Sequence, residues 1–383
     1  MDTPVIVLLS LSPLHIGGAE RNMLQIASHL HDKFQIVIVG PMSASFAKRA
    51  EAAGAVTHPI ETVSKANVLA ALGLANLFRR LRARLVHTHD TRGGLLGRIA
   101  AKVAGLKVIH TVHMAPFFLT TQPLKRRIYS SVEGILNRYF SDRVIFVSRT
   151  VGEMYLAQGL VEQAKAVYIP NGVHRAFLQE TLSRRLDLRN CWRQRLAIGG
   201  QECVVVWVGR ISPQKGLEYL VGAASLLRDY PVRYLVIGDG PERAFIEGLV
   251  RQDHLTDKFI FLGFRDQKEV YELLAASDLF VLPSRYECFP YTLLEATALG
   301  LPCIASDVGG NREIISSGFN GYLVPPGDTR GLASVIERLV RDTGLRERLS
   351  QGAAVKAAEY DEDSMIERTA AVYRAVIGCC THG

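Results

Sequence analysis

An α/β protein of two parallel-sheet domains is what this sequence of 383 residues predicts, on three observations. Apolar runs of strand length recur along the chain with helical patterns between them, as they do when parallel strands are covered on both faces. The rhythm halts at a polar, arginine-rich stretch, residues 175–202, and then starts again. With 48% hydrophobic and 21% charged residues, the chain has a soluble globular balance and the length for two cores. Each half is therefore expected as a Rossmann-like domain.

The expected strands of the first domain are PVIVLLSL (4–11), FQIVIVG (34–40), ARLVHTH (83–89), LKVIHTVH (106–113) and DRVIFVS (142–148). Those of the second are CVVVWVG (203–209), VRYLVIG (232–238), KFIFLG (258–263), DLFVLPS (278–284) and LPCIASD (301–307). From about Ser364, the apolar positions Met365, Ile366, Ala370, Tyr373 and Ile377 have helical spacing. The expected division is thus 1–180, 181–363, and a closing helix and tail, 364–383, that can cross back to the first domain.

Composition narrows the function classes. No stretch approaches the ~18 apolar residues of a membrane span. Asp2 stands where a signal peptide carries cations, so a cytoplasmic address is expected. The six cysteines, at 191, 203, 288, 303, 379 and 380, include no CxxC pair, which fits reduced thiols and neither a disulfide framework nor structural zinc. The formal charge is +8 and unevenly spread: residues 1–180 carry 21 Lys and Arg against 11 Asp and Glu, and the remainder 24 against 26. A basic first half implies an anionic surface or ligand.

Ligands of open α/β sheets bind beyond the carboxyl ends of the strands, and the candidate residues sit at such ends. Gly17 and Gly18 lie between the first strand and a helix, where bare backbone and a helix N-terminus suit an anion. His87, His89 and Asp90 follow the third strand, and His110 and His113 the fourth. A His-x-His at a strand end also begins many metal sites, but His174, His254 and His382 supply no matching second cluster, so no metal is expected. His87 and His110 are expected in hydrogen-bonded packing, with His89 and His113 facing the ligand.

In the second half, Arg210 and Lys215 flank a turn after a strand, and Gly216 precedes a helix. Two fixed cations there match a diphosphate, whose charge grows as it leaves. Glu287 follows another strand end, Pro290 suits the first turn of a helix, and Glu295 falls inside that helix. A carboxylate can accept both hydroxyls of a ribose 2′,3′-diol, and loop N–H groups suit sugar hydroxyls. The two carboxylates also suit a hydrolase acid/base pair, which leaves Arg210 and Lys215 without a role. Asp361-Glu362-Asp363 resembles a metal motif in letters but is expected to cap the closing helix.

Together these elements resemble the retaining, nucleotide-sugar-dependent glycosyltransferases of the GT-B fold, specifically the large fourth family of bacterial hexosyltransferases. The resemblance rests on GGAE (17–20), His113, IPNGV (169–173), GRxSxxKG (209–216), GxGP (238–241), FLG (261–263), the Glu-x7-Glu element (287–295) and NGYLVPPGD (320–328). It implies two Rossmann-like domains facing across a cleft. It implies that Arg210 and Lys215 grip the donor diphosphate, Glu295 the ribose, and Glu287, Cys288, Phe289, Pro290, Tyr291 and Thr292 the hexose. Gly17 and Gly18 would lie at the diphosphate, with Gly18 and His89 toward the acceptor side; His113 would touch the sugar's primary hydroxyl, and Phe264 and Arg265 would border the base. Two departures stand out: Cys288 replaces the family's usual glycine, which would make a positive φ costly, and Pro290 removes an N–H.

The resemblance further implies a UDP-sugar donor, no metal or other cofactor, and retention of configuration. A soluble acceptor, a non-catalytic GT-B partner subunit and an epimerase acting on the donor alone remain the competing classes. Arg79, Arg80, Arg82 and Arg84, with Phe117, Phe118 and Leu119 ahead of Lys125, Arg126 and Arg127, suit peripheral contact with an anionic membrane. A lipid-linked glycan acceptor follows, and the protein is expected at the inner face of the membrane. No nucleic-acid module is recognised.

Overall fold

The computed structural model describes residues 3–11, 17–61, 68–115, 117, 120 and 122–378. The chain forms two compact units, one made of residues 1–171 with 362–383 and the other of residues 172–361.

The first unit is a parallel sheet of β1 (Val5–Leu9), β2 (Gln35–Gly40), β3 (Val56–Pro59), β4 (Leu85–Thr88), β5 (Lys107–Val112), β6 (Arg143–Phe146) and β7 (Ala166–Tyr168). The strand order is β3-β2-β1-β4-β5-β6-β7. Alternation along β1 sorts the core into two layers. Ile6 and Leu8 meet Met23, Ile26 and Leu30 of the helix Gly18–Leu30, together with Met365, Ile366 and Tyr373 of the helix Glu362–Ile377. Val7 and Leu9 meet Leu74 and Phe78 of the helix Val68–Arg80 and Leu96 and Ala100 of Thr91–Val103.

The second unit repeats the plan with β8 (Cys203–Val208), β9 (Val232–Ile237), β10 (Phe259–Gly263), β11 (Leu279–Leu282), β12 (Cys303–Ser306) and β13 (Gly321–Val324), in the order β10-β9-β8-β11-β12-β13. Val205 and Trp207 of β8 pack with Leu220 and Val221 of the helix Leu217–Leu226 and with Leu332 and Ile336 of Thr329–Arg341.

In each sheet the strand order reverses beside its central strand, between β1 and β4 in one and between β8 and β11 in the other. Chains leaving such neighbours turn to opposite faces of the sheet and open a crevice. The turns after these four strands carry Gly17, His89, Arg210 and Glu287.

Two expectations need correction. The first division falls after Asn171 rather than Glu180. The arginine-rich stretch forms the helices Arg175–Ser183 and Arg185–Arg195, bound to the second unit: Trp192 Nε1 donates to Glu272, and Arg189 and Arg193 pair with Asp278 beside β11. The closing helix begins at Glu362, and Glu362 and Asp363 occupy its first turn, where acidic residues complement the helix dipole. Glu362 also accepts from Gln25 Nε2 at 2.8 Å, fixing that turn on the helix Gly18–Leu30.

Candidate active site

In the second unit, the turn after β8 runs through Arg210 and the short 3-10 turn Pro213–Lys215 to Gly216, at φ 60°. A Cβ on Gly216 would lie 2.2 Å from the Pro283 carbonyl oxygen, so the turn after β8 presses against the exit of β11 as only glycine allows. The two turns are then laced together: Arg285 N donates to Gln214 O at 2.8 Å, and Gln214 Nε2 to Tyr286 O at 3.2 Å.

This lacing brings Lys215 Nζ to 2.6 Å from Glu287 Oε1, which also accepts from Ser284 Oγ at 2.7 Å. Glu287 is 5% exposed. Taking a carboxylate out of water is costly unless it is paired and hydrogen-bonded, and Lys215 and Ser284 supply both. Arg210 is exposed and makes no ion pair among the described residues. Lys215 is thus neutralised by Glu287, while Arg210 is left exposed in the turn after β8, where a cation suits an incoming phosphate.

Gly309, at φ 43°, and Gly310 follow β12 and pack on the same loop: a Cβ on either would lie within 2 Å of the Glu287 or the Cys288 carbonyl oxygen. Cys288 is not among the non-glycine residues with positive φ, so the strain expected from its replacement of glycine does not arise. Cys288, Phe289 and Tyr291 are buried, and Pro290 stands one residue ahead of the helix Tyr291–Ala298. The buried Oγ1 of Thr292 and Oδ1 of Asn311 lack hydrogen-bond partners among the described residues. Such orphaned polar atoms are uncommon in protein interiors and mark places that stability alone did not shape.

Glu295 is 1% exposed, and its Oε1 accepts from Gln267 Nε2 and from Tyr271 OH, both at 2.7 Å. Both donors belong to the helix Gln267–Ala275, which starts just past β10. They fix the orientation of the carboxylate. Phe264 and Arg265 lie in the intervening turn; Phe264 is 76% exposed, and Arg265 pairs with Glu269 at 3.6 Å.

In the first unit, Gly17 N donates to Glu20 Oε2 and Ser10 Oγ to Glu20 Oε1, each at 2.9 Å, which ties the helix start to the end of β1. Gly17 and Gly18 are exposed there. His89 Nδ1 lies 3.2 Å from His113 Nε2 and their rings stack. His87 is held by Tyr373 OH and Thr111 Oγ1, both at 2.7 Å, and His110 Nδ1 lies 2.8 Å from Thr88 Oγ1.

His89, expected to face the ligand with His113, is fully buried; strand alternation gives the side of the sheet but not the depth. Its Nε2 has no hydrogen-bond partner among the described residues. Burial holds all four rings neutral: His87 and His113 fall to about 3, and His89 and His110 lie well below the usual histidine value. Mutual repulsion among the rings adds to this for His87, His89 and His110. Asp90 caps the helix Thr91–Val103, accepting from Gly93 N at 2.8 Å. Among the described residues, no three His, Cys, Asp or Glu side chains are grouped to hold a metal.

The residues that position this site without having been read from the sequence are Ser284, Gln267, Tyr271, Gly309 and Gly310. Only the last two carried a signal, a Gly-Gly pair ahead of a helix like that at 17–18.

Comparison with known proteins adds to this geometry. Residues 16–177 match the family model described as Glycosyltransferase Family 4, and residues 189–356 that described as Glycosyl transferases group 1. The chain is 30% identical to the Escherichia coli UDP-Gal:alpha-D-GlcNAc-diphosphoundecaprenol alpha-1,3-galactosyltransferase over 280 residues, 72% of this chain and 70% of that one. It is 32% identical to the Bacillus anthracis N-acetyl-alpha-D-glucosaminyl L-malate synthase over 52% of each chain. Among solved structures, that of Anabaena HepE in complex with UDP and glucose superposes with a TM-score of 0.83 at 22% identity, covering 98% of this chain and 100% of that one. WaaG, a glycosyltransferase involved in lipopolysaccharide biosynthesis, superposes with a TM-score of 0.75 at 20% identity, covering 99% and 100%.

Proposed function

Because the chain belongs to the family 4-like glycosyltransferases of the GT-B fold, we propose that it is a retaining hexosyltransferase acting from a UDP-sugar on a lipid-linked glycan. The observation that carries the reading is the ion pair of Lys215 with Glu287 where the turns after β8 and β11 meet, with Arg210 exposed in the first of those turns.

In this reading Arg210 and Lys215 stabilise the charge that builds on the departing diphosphate, as a metal ion does in other transferases. Glu295, oriented by Gln267 and Tyr271, accepts the ribose hydroxyls. The loop from Glu287 to Thr292 holds the hexose. The bond from the anomeric carbon to the diphosphate oxygen breaks, and the acceptor oxygen bonds to that carbon on the same face. The leaving phosphate oxygen takes the acceptor's proton, so the products are the glycoside and UDP. His113 of the first unit, neutral at physiological pH, can donate one hydrogen bond to a sugar hydroxyl without adding charge.

The lipid-linked acceptor follows the Escherichia coli relative, whose name specifies a diphosphoundecaprenol substrate, and it brings the protein to the inner face of a membrane. A soluble acceptor is the second reading, because the Bacillus anthracis relative is named as a synthase of N-acetyl-alpha-D-glucosaminyl L-malate, a small molecule. A transfer assay with UDP-hexoses, a detergent-dispersed polyprenyl-diphosphate sugar and a set of small-molecule acceptors, run in excess EDTA, tests both. Donor turnover only with small acceptors refutes the lipid-linked reading. A requirement for added divalent ion refutes the metal-free one, and an altered donor recovered without acceptor points to epimerisation.

A further inference from the structure

The helix Pro123–Phe140 of the first unit is attached to its core by a narrow polar seam. Arg98 Nη2 meets Glu133 Oε2 at 2.8 Å, Arg98 Nη1 donates to Asn137 Oδ1 at 2.7 Å, and Asn137 Nδ2 donates to Leu160 O at 3.1 Å. Glu133, Leu136 and Asn137 are the buried residues of this helix, and Glu133 is its one acidic residue. The seam therefore withdraws the helix's sole negative charge from the surface.

Opposite the seam lies an apolar stripe. Leu124 is 72% exposed and Tyr139 66%, with Ile128, Val132 and Ile135 exposed between them. At about 100° per residue these five positions fall within an arc of about 80°. Arg127 and Arg138 border one side of the arc and Lys125 the other, with Arg126 at the helix start; all four are exposed. Arg138 leans on Glu162 at 3.5 Å, whereas Lys125, Arg126 and Arg127 make no ion pair among the described residues. Phe117, expected to join such a surface, is buried, and Phe118 and Leu119 lie outside the described residues.

We propose that this helix is a peripheral docking surface for an anionic lipid bilayer. The helix lies in the headgroup plane, its apolar stripe reaches the acyl boundary, and its flanking cations meet lipid phosphates. Charge selects this occupant: a second copy placed on the stripe would set cations against cations with no exposed acid on either helix, since Glu133 is buried against Arg98. No helix among the described residues is long and apolar enough to cross a membrane, so the contact is one of lying on the surface. The proposal rests on the lipid-linked reading of the acceptor for its purpose, but its test does not.

The full chain is sedimented with vesicles of phosphatidylcholine, with or without phosphatidylglycerol, containing no glycan acceptor. Binding should require phosphatidylglycerol and fall as salt rises. The triple variant Lys125→Gln, Arg126→Gln, Arg127→Gln should lose roughly a hundredfold in partitioning, at about 1 kcal/mol per basic residue. Ile128→Ser with Ile135→Ser should lose at least about tenfold, from the apolar area withdrawn from lipid. Both variants replace exposed side chains, so melting curves and transfer to a detergent-dispersed acceptor should match the parent. No binding at low salt, or equal binding to pure phosphatidylcholine by parent and triple variant, overturns the proposal. So does a dimer in sedimentation velocity that the Ile128→Ser, Ile135→Ser variant abolishes. Vesicle binding by a protein that glycosylates only soluble acceptors leaves the docking surface standing and refutes the acceptor reading alone.

Discussion

Acidification should loosen the first unit well before the second. His87 is enclosed among β4, β5 and Tyr373, and its ring stays neutral down to about 3. Both of its nitrogens face hydroxyl groups, which accept as readily as they donate. The obstacle to protonation is therefore desolvation first and the neighbouring His113 second, not a missing acceptor. Unfolding frees the ring to its ordinary value near 6.5. Between about 6.5 and about 3, the unfolded state then holds a proton that the folded state does not, so stability is complete above that window and is lost as pH falls through it.

Near pH 5 the difference is close to one proton, worth about 1.4 kcal/mol per pH unit for His87 alone. Burial lowers His89, His110 and His113 in the same direction, so each adds to the loss. His113 keeps a partly exposed edge, so His87 is the firmer figure. The second unit holds only His174 and His254, both exposed. Hydrogen exchange resolved by peptide, compared at about pH 7 and about pH 5 after correction for intrinsic rates, separates the units. Protection should collapse in β1, β4 and β5 while β8, β9 and β11 hold. Unchanged protection in the first sheet, or a parallel loss in both, would refute the buried-histidine argument.

Three further outcomes are expected. Glu295→Ala should weaken UDP binding by roughly 10- to 100-fold, the worth of charge-assisted hydrogen bonds at about 1.5–3 kcal/mol; calorimetry showing parental affinity would remove Glu295 from the ribose. Lys215→Ala and Arg210→Ala should each lower kcat more than they weaken donor binding, because the diphosphate gains charge toward the transition state; equal losses would make these cations simple binders. Gly309→Ala should destabilise by more than about 1 kcal/mol and lower the melting temperature, where replacing a glycine by alanine in a helix or strand ordinarily gains stability, since its Cβ meets the Glu287 carbonyl oxygen at 1.8 Å; a parental melting curve would mean that the 287–290 loop shifts freely.

What the sequence disclosed and what it hid divide along burial. Nine of the ten legible strands are interior, enclosed on both faces, and read as unbroken apolar runs; the tenth, β10, is a half-buried edge strand whose letters FIFLG are apolar all the same. The three that were not, β3, β7 and β13, are all edge strands of three or four residues, and β3 (VTHP) carries polar side chains and a proline. An edge strand needs less apolar surface, so its letters resemble a loop. The site shows the same split. Arg210, Lys215 and Glu287 stood out as charges at the ends of apolar runs. Tyr271 and Gln267 lie on an ordinary amphipathic helix, and only tertiary packing brings them to Glu295. Phe117 shows the opposite failure, since an aromatic beside basic residues reads alike whether it faces lipid or core.

The closing helix has a consequence for how this protein is made. Tyr373 lies against Phe34 and bonds His87, so one layer of the first core is supplied by residues made after the whole second unit. Emerging from the ribosome, the first unit can cover Ile6, Leu8 and Phe34 in part with Met23, Ile26 and Leu30, but that layer stays incomplete until Met365, Ile366 and Tyr373 arrive. The second unit, contiguous from Gly172 to Asp361, can complete itself earlier. The half that is synthesised first is thus the half whose core is completed last.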